Sequence, residues 1–409
     1  MTIPQISPNT IFNRFTPSDG LLFGIEFARL YANDRALQDQ LTALNPQTYI
    51  TDTPNWNAPL ETNLAPSQRA VDSLIQSLVP TFLKNMAAWF ADFWVTRTNP
   101  VDNNWTSICW SPQLNLFVAV ASGAGTGNRV MTSPDGVTWT SRTSVPDNTW
   151  TSVCWSPQLN LFVAVSNAGT NRVITSPDGV AWTSRAITFA VGWTSVCWSP
   201  QLSLFVAVGN SGTSANKIMT SANGTSWTIR TVSLTSLNYA SVCWSSELGI
   251  FVAVGGTGTI DHTMTSTDGI SWLQRLISNT DIIWSSVCWS PELGLFAAVA
   301  NTGTGNRVMT SVDGANWIGR TSAANNTWTS ICWSPLLKLF IAVASSGTGN
   351  RVMSSSDGIN WTVRASAADN NWTSVCWSPE LGTFVAVANT GTGNRVMTTR
   401  TGLGKGHTS

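Results

Sequence analysis

Trp150-Thr-Ser-Val-Cys-Trp-Ser-Pro157 is the stretch that decides the fold, because it occurs seven times in nearly the same words. Its cysteine marks the register: Cys109, Cys154, Cys197, Cys243, Cys288, Cys332 and Cys376 follow one another at steps of 45, 43, 46, 45, 44 and 44 residues. A period of about 40–45 residues is that of a four-stranded propeller blade.

Read outward from Trp150, each repeat holds four strands. Trp150–Trp155 alternates and is rich in aromatic and β-branched residues, a strand signal, and Ser156-Pro-Gln-Leu-Asn160 turns the chain. Leu161-Phe-Val-Ala-Val165 is a continuous apolar run, as in a strand covered on both faces. Arg172-Val-Ile-Thr175 resumes after Asn167-Ala-Gly-Thr-Asn171, and Val180–Arg185 follows the turn Ser176-Pro-Asp-Gly179. The last repeat, from Trp372, stops after three strands at Thr399. Its missing fourth matches Phe93-Trp-Val-Thr-Arg-Thr98, which aligns with Thr138-Trp-Thr-Ser-Arg-Thr143. The sequence therefore predicts an all-β, seven-bladed β-propeller over 86–399. The N-terminal strand completes the last blade, and closure leaves only short protected edges.

Of 22 tryptophans, 20 fall in three repeat slots, with Tyr239 filling one vacancy. Regular placement predicts packing between blades, in preference to sugar-stacking platforms. The seven cysteines share one slot, too far from blade to blade for a disulfide, and are expected to be free, buried and structural. Only 10% of the residues are charged, against an ordinary value of about 25%, and the 21 basic and 21 acidic side chains cancel. No basic run points to nucleic acid. There is no stretch of 18 apolar residues for a membrane span and no signal-peptide pattern at Met1–Pro8.

The turn Ser133-Pro-Asp-Gly-Val-Thr-Trp139 recurs at Ser176–Trp182, Ser266–Trp272, Ser311–Trp317 and Ser355–Trp361, with Asn223 replacing Asp in Ser221–Trp227. Asp135, Asp178, Asp268, Asp313 and Asp357 are read as turn builders whose carboxylates accept backbone N–H bonds while Gly takes positive φ. The turn resembles the Asp-box of neuraminidase-type repeats, one residue shorter between Asp and Gly. That family implies a propeller and includes sialidases, lectin-like binders and assembly factors. A sialidase would need a three-arginine clamp and a tyrosine–glutamate pair on dissimilar loops. Here Tyr239 is the one tyrosine of the repeats, and the arginines recur in register at 129, 172, 307, 351 and 395 and at 142, 185, 230, 275, 320 and 364. With two histidines, His262 and His407, and no phosphate-binding loop, the reading is not an enzyme, with no cofactor and no metal.

Chain direction sorts the loops into two faces. The near-invariant Ser-Pro and Asp-Gly turns share one; the hairpins and the variable blade-to-blade links (Pro146–Thr149, Ile187–Gly192, Val232–Asn238, Asn279–Ile283) share the other. Recognition usually sits on loops of a rigid scaffold, so the variable face is the expected contact face, beside the alternative of tolerated drift. Repeat four departs most, and Tyr239, Asp261 and His262 are its candidate ligand residues.

Residues 1–85 lack the repeat. A helix is expected from Pro17-Ser-Asp19 to Leu44, with Phe23, Phe27, Leu30, Asp34, Leu37, Leu41 and Leu44 at heptad spacing, and a second short one around Val71, Leu74, Ile75 and Leu78. This segment is read as an anchoring or oligomerising module, with packing on the propeller as the alternative, and 400–409 as a tail. A small docking module before a rigid propeller resembles the plan of bacteriophage tail fibres and other virion adhesins. The resemblance implies assembly in the cytoplasm, display on a virion or extracellular surface, other virion proteins and host glycans as partners, and a possible homo-oligomer. The alternative is a free multivalent lectin with repeated interblade carbohydrate sites.

Overall fold

The computed structural model describes residues 93–123, 126–143, 146–187, 190–211, 216–231, 238–256, 263–275 and 282–399. The chain divides into two compact units, Met1–Val79 and Pro80–Ser409, and the described residues all lie in the second. Both expected helices, the 1–85 module and the 400–409 tail fall outside them.

Seven four-stranded antiparallel sheets make up the propeller, and six are each built from consecutive strands. Blade 1 is typical, with β2 (Trp105–Ser111), β3 (Leu116–Ala121), β4 (Val130–Ser133) and β5 (Thr140–Arg142) in order. Blades 2 to 6 begin at Trp150, Trp193, Tyr239, Trp284 and Trp328. Blade 7 has three strands from Trp372–Ser378, Thr383–Ala388 and Val396–Thr399, and takes its fourth from β1, Trp94–Arg97. Trp94 pairs with Thr399 and Arg97 with Val396, so the expected closure is present, strand and register alike.

The apolar run of the second strand is what binds blade to blade. Phe117, Val118, Ala119 and Val120 are all fully buried, because both faces of the blade are covered by neighbours. Alternate residues go to opposite seams: Phe117 and Ala119 pack with Val385 and Val387 of blade 7, and Val118 and Val120 with Trp150 and Phe162 of blade 2. Each second-strand Phe sits between two indoles, Phe117 being 4.5 Å from Trp110 and 6.3 Å from Trp139, centroid to centroid. In blade 7 the borrowed strand supplies the third ring, Trp94 lying 6.5 Å from Phe384. The repeat tryptophans are therefore packing groups: all six in the first slot are fully buried.

The Asp-Gly turn is built as the residues require. Asp135 Oδ1 accepts from the backbone N–H of Val137 and Thr138 at 2.8 and 2.7 Å, while Ser133 Oγ accepts from Gly136 N–H at 2.8 Å. Trp139 Nε1 closes the turn on Gly136 O at 3.0 Å. Asp178, Asp268, Asp313 and Asp357 repeat the arrangement, and Asn223 does so with its amide oxygen. Gly179 has φ +72°, and a Cβ there would lie 2.9 Å from Leu116 of the preceding blade. Glycine is needed for both reasons.

The rim-strand arginines, one per blade, donate Nε to a hydroxyl on the third strand: Arg97 to Thr398 in blade 7, Arg142 to Thr132 in blade 1, through to Arg364 with Ser354 in blade 6. Their regular spacing reflects pairing within the blade and not a carboxylate clamp.

Candidate functional site

Three rings of hydrogen bonds cross the seams between blades, and their shared source is the first strand, as in Trp150–Ser156. In every first strand the ladder skips the residue after the first aromatic: Trp105 pairs with Ala121 and Ser107 with Val120, leaving Thr106 unpaired. Such a bulge re-aims a side chain. Thr106 Oγ1 donates across the seam to Trp150 O at 2.8 Å and within its blade to Val120 O at 3.0 Å. Thr151, Thr194, Ser285, Thr329 and Thr373 make the equivalent cross-seam bonds at 2.6–2.8 Å. Blade 4 has Ala240 at this position, and the ring is broken there.

The second ring is complete. Ser107 Oγ accepts from Val153 N–H at 3.2 Å, and so on around to Ser374 Oγ, which accepts from Ile108 N–H. In the third, the second-slot indole donates to a turn residue of the preceding blade, Trp155 to Gln113 at 2.7 Å and Trp110 to Glu380 at 2.6 Å. Blade 6 has Leu336 in that turn, and Trp377 Nε1 is left buried without a partner. The cysteines are free and pack against the core of the following blade, partly buried rather than wholly so as expected. Burial still pushes their thiols up, to about 12 for Cys197 and Cys376.

The two faces differ. The turn face is regular, with Leu114, Leu159, Leu202, Leu248 and Leu293 exposed at the same place in successive blades. The chain enters the ring on this face at Trp94 and leaves it there at Thr399, as the pairing of these two residues requires. The link face is not regular. Links into blades 1, 2, 6 and 7 read Asp102-Asn103, Asp147-Asn148, Asn325-Asn326 and Asp369-Asn370, two residues before the first-slot tryptophan. The first member accepts from a hairpin glycine of the blade behind: Gly393 N–H to Asp102 at 2.8 Å, Gly127 to Asp147 at 2.7 Å, Gly305 to Asn325 at 2.6 Å and Gly349 to Asp369 at 2.7 Å. The second member donates to the hairpin of the blade ahead, as in Asn370 Nδ2 to Asn394 O at 2.8 Å.

An arginine completes three of these clamps, with Arg129, Arg351 and Arg395 lying 3.8, 3.7 and 3.6 Å from Asp147, Asp369 and Asp102. Asp102 is held below the usual carboxylate range by the Asn99 amide, the Gly393 N–H and Arg395, against the opposing push of burial. Links into blades 3, 4 and 5 lack the pair. Two of them bury an aliphatic instead, Val191 at 5% and Ile282 at 4% exposure. In blade 3 the arginine position holds Lys217, whose Nζ donates to Asn238 Oδ1 at 2.9 Å and whose ammonium is pushed down by burial. In blade 4 the sequence places His262 there.

Of the proposed ligand residues, Tyr239 is not offered to solvent. It fills the first-slot position, 2% exposed, against Val206, Val208, Phe251 and Met264, and burial pushes its phenol up. A large ring in that slot packs for the same reason its tryptophan counterparts do. Asp261 and His262 lie outside the described residues.

A cavity of about 300 Å³ opens on the axis, lined by Thr106, Thr151, Thr194, Thr329, Thr373, Asn167 and Asn210. The threonines are the bulged residues, and the two asparagines follow the second strands of blades 2 and 3. The cavity thus lies toward the link face. Sequence reading missed it, although the recurring Trp-Thr-Ser was in view, because a bulge is not visible in a residue pattern.

No family model and no curated protein matches the sequence. Solved structures match the fold. A streptogramin B lyase shares 8% identity at a TM-score of 0.63, over 76% of this chain and 98% of that one. YCF48 bound to a D1 peptide shares 16% at 0.55, over 77% and 96%. The Niastella koreensis GH74 enzyme shares 15% at 0.52, over 70% and 50%. At such identities the likeness is one of fold, a seven-bladed propeller of four-stranded blades, and the fold is compatible with a binding or adhesion role.

Proposed function

We propose that this chain is a non-enzymatic binding protein of a virion surface, tail-fibre-like, whose propeller meets a host-surface glycan or another structural protein through the link face. The observation that carries the reading is the confinement of irregular links to one arc, the entries to blades 3, 4 and 5, on an otherwise repeated ring. Drift under no constraint would scatter over all seven seams. The Asp-box-like turns and the low charge are in keeping with a lectin-like or adhesive propeller. Among the described residues no three His, Cys, Asp or Glu side chains group as a metal site. The propeller neighbours include a lyase and a glycoside hydrolase, but that likeness is of fold alone. The neighbour solved with a peptide keeps a protein partner in view.

Repeated interblade sugar sites of a free lectin are the weaker alternative, because the space between blades is filled by the buried first-slot rings. The test grafts an Asp-Asn link in place of residues 232–238 and of 276–283 in the full chain, then screens glycan arrays and candidate virion proteins. Binding should be lost while melting is retained or raised. Binding that survives both grafts would move the contact off this arc.

A further inference from the structure

We infer that the axial cavity seats a neutral, hydroxyl-rich group such as a terminal sugar residue; the inference rests on the reading of the propeller as a binding module. The lining carries no charged side chain, only threonines and two asparagines. An anionic sugar acid or sulfate would find no cation there, and an ammonium group would find no carboxylate.

The hydrogen-bonding state of the lining narrows the ligand further. Each lining threonine commits its proton to a carbonyl across the seam, as Thr194 Oγ1 does to Tyr239 O at 2.8 Å. A hydroxyl whose proton is spent offers only lone pairs. Asn167 Nδ2 donates to Asn210 Oδ1 at 3.0 Å across the seam between blades 2 and 3. That pairing uses one amide oxygen and one NH2 group, so the opposite ends, Asn167 Oδ1 and Asn210 Nδ2, remain as an adjacent acceptor and donor. The same holds if both amides are turned over.

A vicinal diol presents the matching set, since every hydroxyl both donates and accepts. It can take the Asn210 N–H, give to Asn167 Oδ1, and turn its remaining protons to the threonine oxygens. The site is also unequal around the axis. Ala240 interrupts the hydroxyl ring at blade 4, so the ligand meets polar atoms chiefly on the side of blades 6, 7, 1, 2 and 3. About 300 Å³ is at the small end of ligand pockets, which suits one sugar residue and not an oligosaccharide.

The experiment titrates the full chain by ligand-observed NMR with a panel of neutral methyl hexosides, with methyl sialoside, and with glycerol as a free polyol. A glycan array is run beside it. Asn167→Ala and Asn210→Asp are compared with the unaltered protein, each checked by its melting transition. The Asp variant keeps the size of the side chain if the Ala variant fails to fold.

At least one neutral hexoside should bind, tenfold or more weakly in either variant, with no response to sialoside. Array hits should carry that neutral sugar at the terminus; binding of glycerol as strongly as any hexoside would instead assign the site to free polyols. Sialoside binding, or hexoside binding unchanged in both folded variants, would overturn the axial site while leaving glycan recognition standing. A blank array with no hexoside response would end the glycan reading together with this one.

Discussion

The seams entering blades 6, 7, 1 and 2 and those entering blades 3, 4 and 5 face the same way and rest on the same strands, yet they are held differently. In the first arc each link is fastened to the hairpins on either side by an Asp-Asn or Asn-Asn pair, and every donor on the hairpin glycine has a side-chain acceptor. In the second arc the sequence lacks the pair, Val191 and Ile282 are buried in two of the three links, and Ala240 removes the axial hydroxyl bond between blades 4 and 5 as well. The buried second strands and the serine ring run through both arcs. Shape comes from the shared rings, and the link face is left to differ where the stitches are absent.

The largest expected effect breaks both arcs at once. Trp94 is the sole indole that the borrowed strand contributes, 7% exposed and against Phe384. Trp94→Ala should cost about 3–5 kcal/mol and loosen the closure of blade 7. Urea unfolding measures the cost, and hydrogen exchange should show the protection of Val396–Thr399 falling first. An unchanged midpoint would mean that the N-terminal strand is ornamental and that three strands suffice for blade 7.

Next comes the stitched arc alone. Asn370, 7% exposed, donates to Asn394 O and Oδ1. Asn370→Ala removes the donor to the part-buried Asn394 carbonyl, at a cost of about 1 kcal/mol. In the unaltered protein, amides of the links into blades 1, 2, 6 and 7 should exchange more slowly than those into blades 3, 4 and 5. Equal exchange in the two arcs would remove the distinction between them.

Two substitutions should run the other way by restoring bonds the ring lacks. Ala240→Thr supplies the missing donor to Trp284 O, and Leu336→Gln gives the buried Trp377 Nε1 an acceptor. Each should stabilise by roughly 0.5–1.5 kcal/mol, read as a raised melting temperature. A loss of stability at Ala240→Thr would show that blade 4 is kept without the hydroxyl for packing reasons.

The fold could be read from the phrase at Trp150 because period, alternation and turn chemistry all agree, even to the strand borrowed from Trp94. The turn aspartates were legible for the same reason: Ser-x-Asp-Gly specifies its bonds within four residues. The candidate site was less so. Tyr239 stood out as a departure, but a departure in a packing slot changes the core and not the surface. The stitches depend on Asp and Asn meeting hairpins some 20 residues away, or 291 away for Asp102 and Gly393, and the axial cavity depends on a bulge. Both are contacts between segments, which a periodic pattern does not display.

The smallest effect concerns the turn face, where the two arcs are alike. Burial opposes ionisation at Asp313 and Asp357, but backbone N–H bonds, the amides of Asn316 and Asn360 and a serine hydroxyl outweigh it and hold both carboxyls at about 2. A carboxyl whose folded pKa lies below its unfolded value of about 3.8 stabilises the fold above that value. That contribution is lost as the pH falls from about 4 through 2. Asp357→Asn removes the titration while keeping the turn, as Asn223 already does with bonds of 2.9 Å to Thr225 and Ser226. Melting temperature followed between pH 5 and 2 should therefore fall less steeply in the variant. The difference should be small, since four other aspartates still titrate. A slope identical to that of the unaltered protein would place the acid sensitivity elsewhere, with the Asp102 clamp of the stitched arc the first candidate. Asp102→Asn then becomes the informative comparison, because an amide can still accept from Gly393 N–H but no longer pairs with Arg395.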